Sequence, residues 1–334
     1  MSWPNLKKKR EYLSIQQLHE DETGAGKDAL SSIIEGKEQK WNWNKLYSPD
    51  DYGATFHLVT NATKRTFGDL FKRALSAVYI THCLLAAGFF GNYIPNESDL
   101  QYVAALALRH FQGCSCNAYE ISEMQLNDNI SQTRSLEVGG AVYPTISLTN
   151  HSCFPNVTRY NIGARCVLRA TRLIPKGTEI LDNYGFYFHS MSDMERKEAL
   201  RVQYKFECTC DPCREKWPLY PHKQGEAIIF RCPGATCGAV SSYQEGRRLQ
   251  CAQCGEQQGY AKLVNCITNK LEDYAKALTL LHDRKYEDAL KLLLQIQTFF
   301  EPHAVYPAKH FTDVQEIIRQ CFNCLGNANN NREA

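Results

Sequence analysis

An α+β fold is what this 334-residue sequence predicts, and three observations carry that expectation. Residues 66–111 and the stretch after 261 have helical periodicity. The region between them is made of short runs rich in Val, Ile, Thr and Tyr, separated by turn signals, and two groups of cysteines sit at metal-ligand spacing. A hydrophobic content of 43% with 22% charged residues is that of a globular chain, and the length allows two or three cores. The net charge of +2 gives no general attraction to nucleic acid or acidic membranes, so neither is expected as a partner. No run reaches the roughly 18 apolar residues of a membrane span, and "KKKR" near the start has no apolar stretch behind it, so an intracellular protein is expected.

Residues 1–48 are polar and charged, with "DETGAGKD" as a break, and read as a weakly ordered or helical lead-in. Region 49–113 reads as helical. Its first helix is expected to bury Leu70, Phe71, Ala74, Val78 and Tyr79, and its second, capped by Asn96, to bury Leu100, Val103, Ala104, Ala107, Leu108 and Phe111. From 114 to 207 the period becomes that of strands, and "CSCNAYEISEM" opens this β region with Cys114 and Cys116 on one face. "IPKG" at 174–177 suits a type I turn with Pro second and Gly fourth. Residues 208–258 hold most of the cysteines and little periodicity. Residues 259–334 return to helix, with Tyr274, Leu278 and Leu281, then Ala289, Leu290, Leu293, Ile296 and Phe300, then Phe311, Val314, Ile317, Ile318, Cys321 and Leu325 as apolar stripes. The helix pair ending at Pro302 has the character of a tetratricopeptide-type hairpin, with Ala289 at a close-packed position.

Fifteen cysteines in an intracellular chain call for a metal rather than disulfides. Cys232-x4-Cys237 followed by Cys251-x2-Cys254 supplies two knuckles, the spacing of a ribbon-like structural zinc site. Cys208, Cys210 and Cys213 in "FECTCDPC" give three ligands and need a fourth, and Cys153 in "NHSCFPN" is the candidate left over. Read locally, that heptapeptide is also a polar turn, or a Ser152 or Cys153 nucleophile beside His151, although sequence neighbours rarely have the geometry of a nucleophile and its base. Cys321 and Cys324 read as core residues, and His282, His303 and His310 have no ligand partners by spacing.

"NHSCFPN", "GTEILDNYG" and "QYKFECTCDPC", in that order and spacing, resemble the SET-domain protein-lysine methyltransferases. "YGATFHLVTN", "CNAYEI" and "DNYG" are most similar to the SET and MYND domain-containing group and its type 4 branch. The resemblance covers roughly residues 50–326 and implies a SET-type fold of short strands at 114–207. It implies a helical insert before that core, a post-SET and ribbon region at 208–258, and a C-terminal helical repeat-like segment. The family's opening strand with its Gly-x-Gly loop, and the MYND zinc module, are not found in the sequence, since "GAGK" at 24–27 lacks a following apolar strand, so a truncated form is expected.

The resemblance implies S-adenosylmethionine-dependent N-methylation of a protein lysine. It makes Tyr184 the catalytic hydroxyl and Asn117, Asn150, His151 and Phe206 the contacts to the methyl donor. It assigns two structural zinc ions, one to Cys153, Cys208, Cys210 and Cys213, the other to Cys232, Cys237, Cys251 and Cys254. It adds a protein substrate, a possible second protein partner on the C-terminal helices, and a place in the cytoplasm, the nucleus or both. Against these roles stand plainer ones: Tyr184 and Phe206 as core aromatics, Asn150 and His151 as turn formers, Asn117 as a strand-end polar residue. The alternative for the whole chain is an inactive, zinc-stabilised SET remnant that serves as a protein-interaction module.

Overall fold

The computed structural model describes residues 52–127, 133–219, 228–243 and 250–330. The expected lead-in at 1–48, with its "GAGK", lies outside them. Two compact units form. One takes residues up to Tyr119 with Val142–Ser147 and Val202–Lys205; the other takes Glu120–Ala141, Leu148–Arg201 and the chain from Phe206 onward.

The first unit is helical, built on α1 (Tyr52–Phe56), α2 (Phe67–Ala86) and α3 (Glu97–Asn117). Thr66 caps α2, and Asn96 caps α3 in a reciprocal capping box with Asp99, which satisfies two of the amides left over at the helix start. The buried side of α2 runs through Ala77 and Thr81. Phe71, Val78 and Tyr79, expected inside, are instead exposed, together with Phe67 and Leu75. In α3 the stripe is Tyr102, Val103, Ala105, Leu106 and Arg109, so of the expected set Val103 is fully buried while Leu100, Ala104, Ala107, Leu108 and Phe111 are half-buried. Arg109 reaches out of that stripe to donate from Nε and Nη2 to the Phe56 carbonyl at 2.8 and 2.6 Å.

Helix α3 runs on through Cys114 and Cys116 to Asn117, where a strand was expected. The reason is tertiary. Arg65, 8% exposed, donates to the Gln112 carbonyl, Ser115 Oγ and Cys116 Sγ and so anchors the last turn. Cys116 is consequently buried and Cys114 exposed, rather than both lying on one strand face.

The second unit carries the β structure. Strands β1 (Ala118–Leu126) and β2 (Arg134–Val142) join β9 (Ala328–Asn330) in the order β2-β1-β9, with β9 parallel to β1. Strands β3 (Asn150–His151) and β6 (Leu181–Asp182) pair in parallel, and β4 (Val157–Ile162) forms a hairpin with β5 (Arg165–Ala170). The turn before β6 is shifted by one residue from expectation. Thr178 N–H donates to the Pro175 carbonyl, which makes Pro175 first and Gly177 third, and Gly177 takes a φ of 89°. A positive φ at the third position is the mark of a type II turn.

After α4 (Asp193–Tyr204) and the short α5 (Asp211–Arg214) comes the hairpin β7 (Ile229–Arg231) and β8 (Val240–Ser242). Phe230 packs there with Tyr260, Leu263 and Ile267 of α6 (Gln258–His282). Helices α6, α7 (Tyr286–Phe300) and α8 (Lys309–Leu325) then enclose one core with Ala277, Ala289, Leu293, Ile296 and Ile318 at its centre. Tyr160 and Val167 of the β4–β5 hairpin pack on it. Ala289 is fully buried as expected, whereas Leu278 and Leu325 of the expected stripes are exposed. Among the described residues no helix is long and apolar enough to cross a membrane.

Candidate metal centres and tyrosine site

"NHSCFPN" is held by its own polar atoms. Asn156 donates from Nδ2 to the Glu179 carbonyl and accepts the Leu181 N–H on Oδ1, Ser152 N–H donates to the Asp182 carbonyl, and Asn183 returns Nδ2 to the Ser152 carbonyl. A segment with Pro155 in it cannot complete a ladder, so side chains supply the missing partners. Phe154 inserts into an aromatic group with Phe188, Trp217 and Tyr306, at centroid distances of 5.7, 5.3 and 5.0 Å.

The loop carries Cys153, which has no exposure, to the post-strand cysteines. Its Sγ lies 3.6 Å from Cys213 Sγ, Cys208 Sγ is 3.2 Å from Cys210 Sγ, and all four sulfurs fall within 4.8 Å of one another. Four thiolates on a tetrahedral zinc at about 2.3 Å stand about 3.8 Å apart, so this donor set fits such an ion. The Cys153 N–H points at Cys210 Sγ at 3.4 Å. Hydrogen bonds from Cys153 and Cys208 hold the Cys210 thiol far below its ordinary range, while Cys153, hydrogen-bonded to Cys208 and Cys210, is pushed up. Sulfurs so close share protons until a cation replaces them.

The second group follows the same pattern. Cys232 Sγ is 3.7 Å from Cys254 Sγ and Cys237 Sγ is 3.8 Å from Cys251 Sγ, with all four again within 4.8 Å. Backbone N–H groups of Cys254 and Gln253 point at Cys251 Sγ and bring its thiol down to about 6. Both groups could therefore hold a metal, and the sequence had assigned all eight cysteines to them. Cys321 is fully buried in the helical core, as expected.

Beside the first group lies the tyrosine site. Tyr184, half-buried, is fixed at both ends: its N–H donates to His151 Nδ1 at 3.1 Å, and its hydroxyl donates to the Thr149 carbonyl at 2.6 Å. The His151 and Tyr184 rings are 5.1 Å apart, and Phe206 stands edge-on to Tyr184 at 6.5 Å and 6.2 Å from His151. Gly185 next to it has a φ of 109°, which a side chain would resist, and its N–H is taken by Asn183 Oδ1. Burial pulls the His151 imidazole down to about 4. The structure thus brings His151, Tyr184 and Phe206 together. Asn150 is exposed and donates from Nδ2 to Glu179 Oε1 at 2.6 Å. Asn117 belongs to the first unit, where it is buried and donates to the Val59 and Gly113 carbonyls.

One residue at the site escaped sequence reasoning. Arg196 of α4 has no exposure, and its Nε lies 3.2 Å from Cys153 Sγ and its Nη2 3.8 Å from Cys213 Sγ. In "DMERKEALRVQY" nothing distinguishes it from Arg201, which is solvent-facing. Only a guanidinium buried against sulfurs reveals it.

The SET domain profile matches residues 13–185. The chain belongs to the SET-domain family. Relatives of this SET-domain chain include protein-lysine N-methyltransferase SMYD4 of Pongo abelii, 28% identical over 297 residues, which are 82% of this chain and 36% of that protein. SMYD4 of Homo sapiens is 31% identical over 267 residues, 73% of this chain and 32% of that protein. Histone-lysine N-methyltransferase SMYD3 of Mus musculus is 37% identical over 170 residues, 51% of this chain and 34% of that protein. Within the family the likeness is to the SET and MYND domain-containing group and its type 4 branch, as the motifs imply. The chain spans about a third of the length of these relatives.

Proposed function

We propose that this chain carries an S-adenosylmethionine-dependent protein-lysine N-methyltransferase site, with two structural zinc ions. The observation that supports it most is the tyrosine beside the first cysteine group: Tyr184 clamped at its amide and its hydroxyl, with His151 and Phe206 against its ring. Zinc is held by Cys153, Cys208, Cys210 and Cys213 and by Cys232, Cys237, Cys251 and Cys254. Its part is structural: it fastens "NHSCFPN" to the segment that carries Phe206, and folds the ribbon.

S-Adenosylmethionine, when bound, supplies a methyl group on a cationic sulfonium. Half-buried Tyr184 and Phe206 beside the buried His151 suit that donor, because aromatic faces attract cations and stack on a flat base. Asn150 and His151 are assigned to it as polar contacts, Phe206 as an aromatic wall, and Asn117 on the resemblance alone. The Tyr184 hydroxyl donates its proton to the Thr149 carbonyl, and a hydroxyl oxygen that donates keeps lone pairs able to accept. An incoming lysine amine can donate an N–H to that oxygen and turn its lone pair toward the methyl group. Attack needs the neutral amine, and a desolvated site beside a cation lowers the lysine pKa in that direction. What Tyr184 contributes is alignment and electrostatics, with no covalent bond to the substrate.

The substrate in this reading is a protein bearing an accessible lysine, and helices α6–α8 offer a second surface for a protein partner. The fifteen free cysteines suit a reducing compartment, cytoplasm or nucleus. The division into lead-in (1–48), helical insert (49–113), SET core (114–207), post-SET and ribbon (208–258) and C-terminal helices (259–334) is retained as the functional partition. The test is transfer of a labelled methyl group to protein lysines by the zinc-loaded chain, compared with Tyr184→Phe. Transfer by the first and none by the second is expected; equal transfer by both refutes the assignment of Tyr184.

A further inference from the structure

His151 stands between the first cysteine group and Tyr184, and it touches both with its ring nitrogens. It is 8% exposed. Nδ1 is 3.1 Å from the Tyr184 amide nitrogen, and Nε2 is 3.4 Å from Cys153 Sγ. A backbone N–H can only donate, so Nδ1 must present its lone pair. In the neutral ring the proton then sits on Nε2, where it faces the Cys153 sulfur. A doubly protonated ring would set two donors against each other at Nδ1.

Cys153 is braced on another side by Arg196, whose Nε is 3.2 Å from the same sulfur and whose Nη1 donates to the Met191 carbonyl at 2.5 Å. N–H groups directed at a ligand sulfur orient it and withdraw charge from it, which is how groups outside a metal's own ligands tune the site. Tyr184 is thus fixed at its hydroxyl by the Thr149 carbonyl and at its amide by the histidine.

We infer that His151 is a positioning residue: its Nε2-protonated imidazole ties the Cys153 sulfur to the Tyr184 amide, so that a filled metal site sets where the Tyr184 hydroxyl stands. The link itself is a matter of structure; its effect on rate rests on the methyl-transfer reading above.

The test uses the whole chain with 15N-labelled histidine and cadmium-113 in place of zinc. The expected result is an Nε2-protonated, neutral His151 whose Nε2 proton shows scalar coupling to cadmium through the Cys153 sulfur, a signal lost in His151→Phe. An Nδ1-protonated ring, or an Nε2 proton with no coupling in a chain carrying two cadmium ions, overturns the inference. In turnover, His151→Phe with both metal ions retained is expected to lower kcat about tenfold or more, a larger factor than any rise in the donor KM. An unchanged kcat overturns the positioning role. If the native chain transfers no methyl group to any protein, the methyl-transfer reading fails, and the coupling experiment still decides the link.

Discussion

Tyr184 is hydrogen-bonded at its amide and at its hydroxyl, and removal of the hydroxyl should separate chemistry from folding. Tyr184→Phe is expected to lower methyl transfer about 100-fold or more while the zinc content stays at two and Tm moves by no more than about 3 °C. His110 gives a pH test far simpler than any near the sulfurs. Its Nε2 is 2.6 Å from Tyr52 Oη, and burial, then the nearby Arg109 charge, lower its pKa. As pH falls below about 6.5 the unfolded chain takes up a proton that the folded one refuses, so stability falls on acidification. His110→Phe is expected to flatten that part of the stability curve, measured by denaturant unfolding between pH 7 and 5. At this scale the sequence was informative where chemistry demands a residue type: seven sulfurs were readable by spacing, and Cys153 as the eighth only because the first set lacked a ligand and the motifs resemble the SET family. Arg196 was not, because its role comes from packing against sulfurs distant in the chain.

Helices and strands were legible where local signals and tertiary packing agree. The Asn96 cap and the Ala289 helix pair are such places. They were misread where a distant residue decides. Arg65 carries α3 through Cys116, against a β-type reading of "CSCNAYEI", and β9 finds its partner strand some two hundred residues away. The face of α2 was misplaced for a related reason: its apolar residues form more than one helical stripe, and packing chose the smaller side chains Ala77 and Thr81. Phe71→Ser should therefore change stability by under about 0.5 kcal/mol, whereas Leu293→Ala in the helical core should cost about 2–5 kcal/mol, both by urea unfolding. Gly326 links α8 to β9, and a Cβ there would stand 2.5 Å from the Asn161 carbonyl oxygen. Gly326→Ala is expected to destabilise by about 1–3 kcal/mol and to loosen β9 in hydrogen exchange.

For the molecule as a whole, zinc on the two cysteine groups is expected to make folding conditional. The ribbon has a core of few residues, with Phe230, Tyr260, Leu263 and Ile267 at its centre, and two of its cysteines among them. Chelation should remove two zinc ions per chain and unfold residues 228–243 and 250–256 and the loop at Cys153 before α6–α8 melt, as read by hydrogen exchange; retention of these regions without zinc would contradict the assignment of the sulfurs. Membership of the SET-domain family agrees with the motif order on which the sequence reading rested. The measurement that tests the methyl-transfer reading most directly is calorimetric titration of the folded, zinc-loaded chain with S-adenosylmethionine. One-to-one binding in roughly the micromolar range, weakened by Phe206→Ala, is the result expected. A folded chain with two zinc ions that releases no heat and binds no donor would contradict the account.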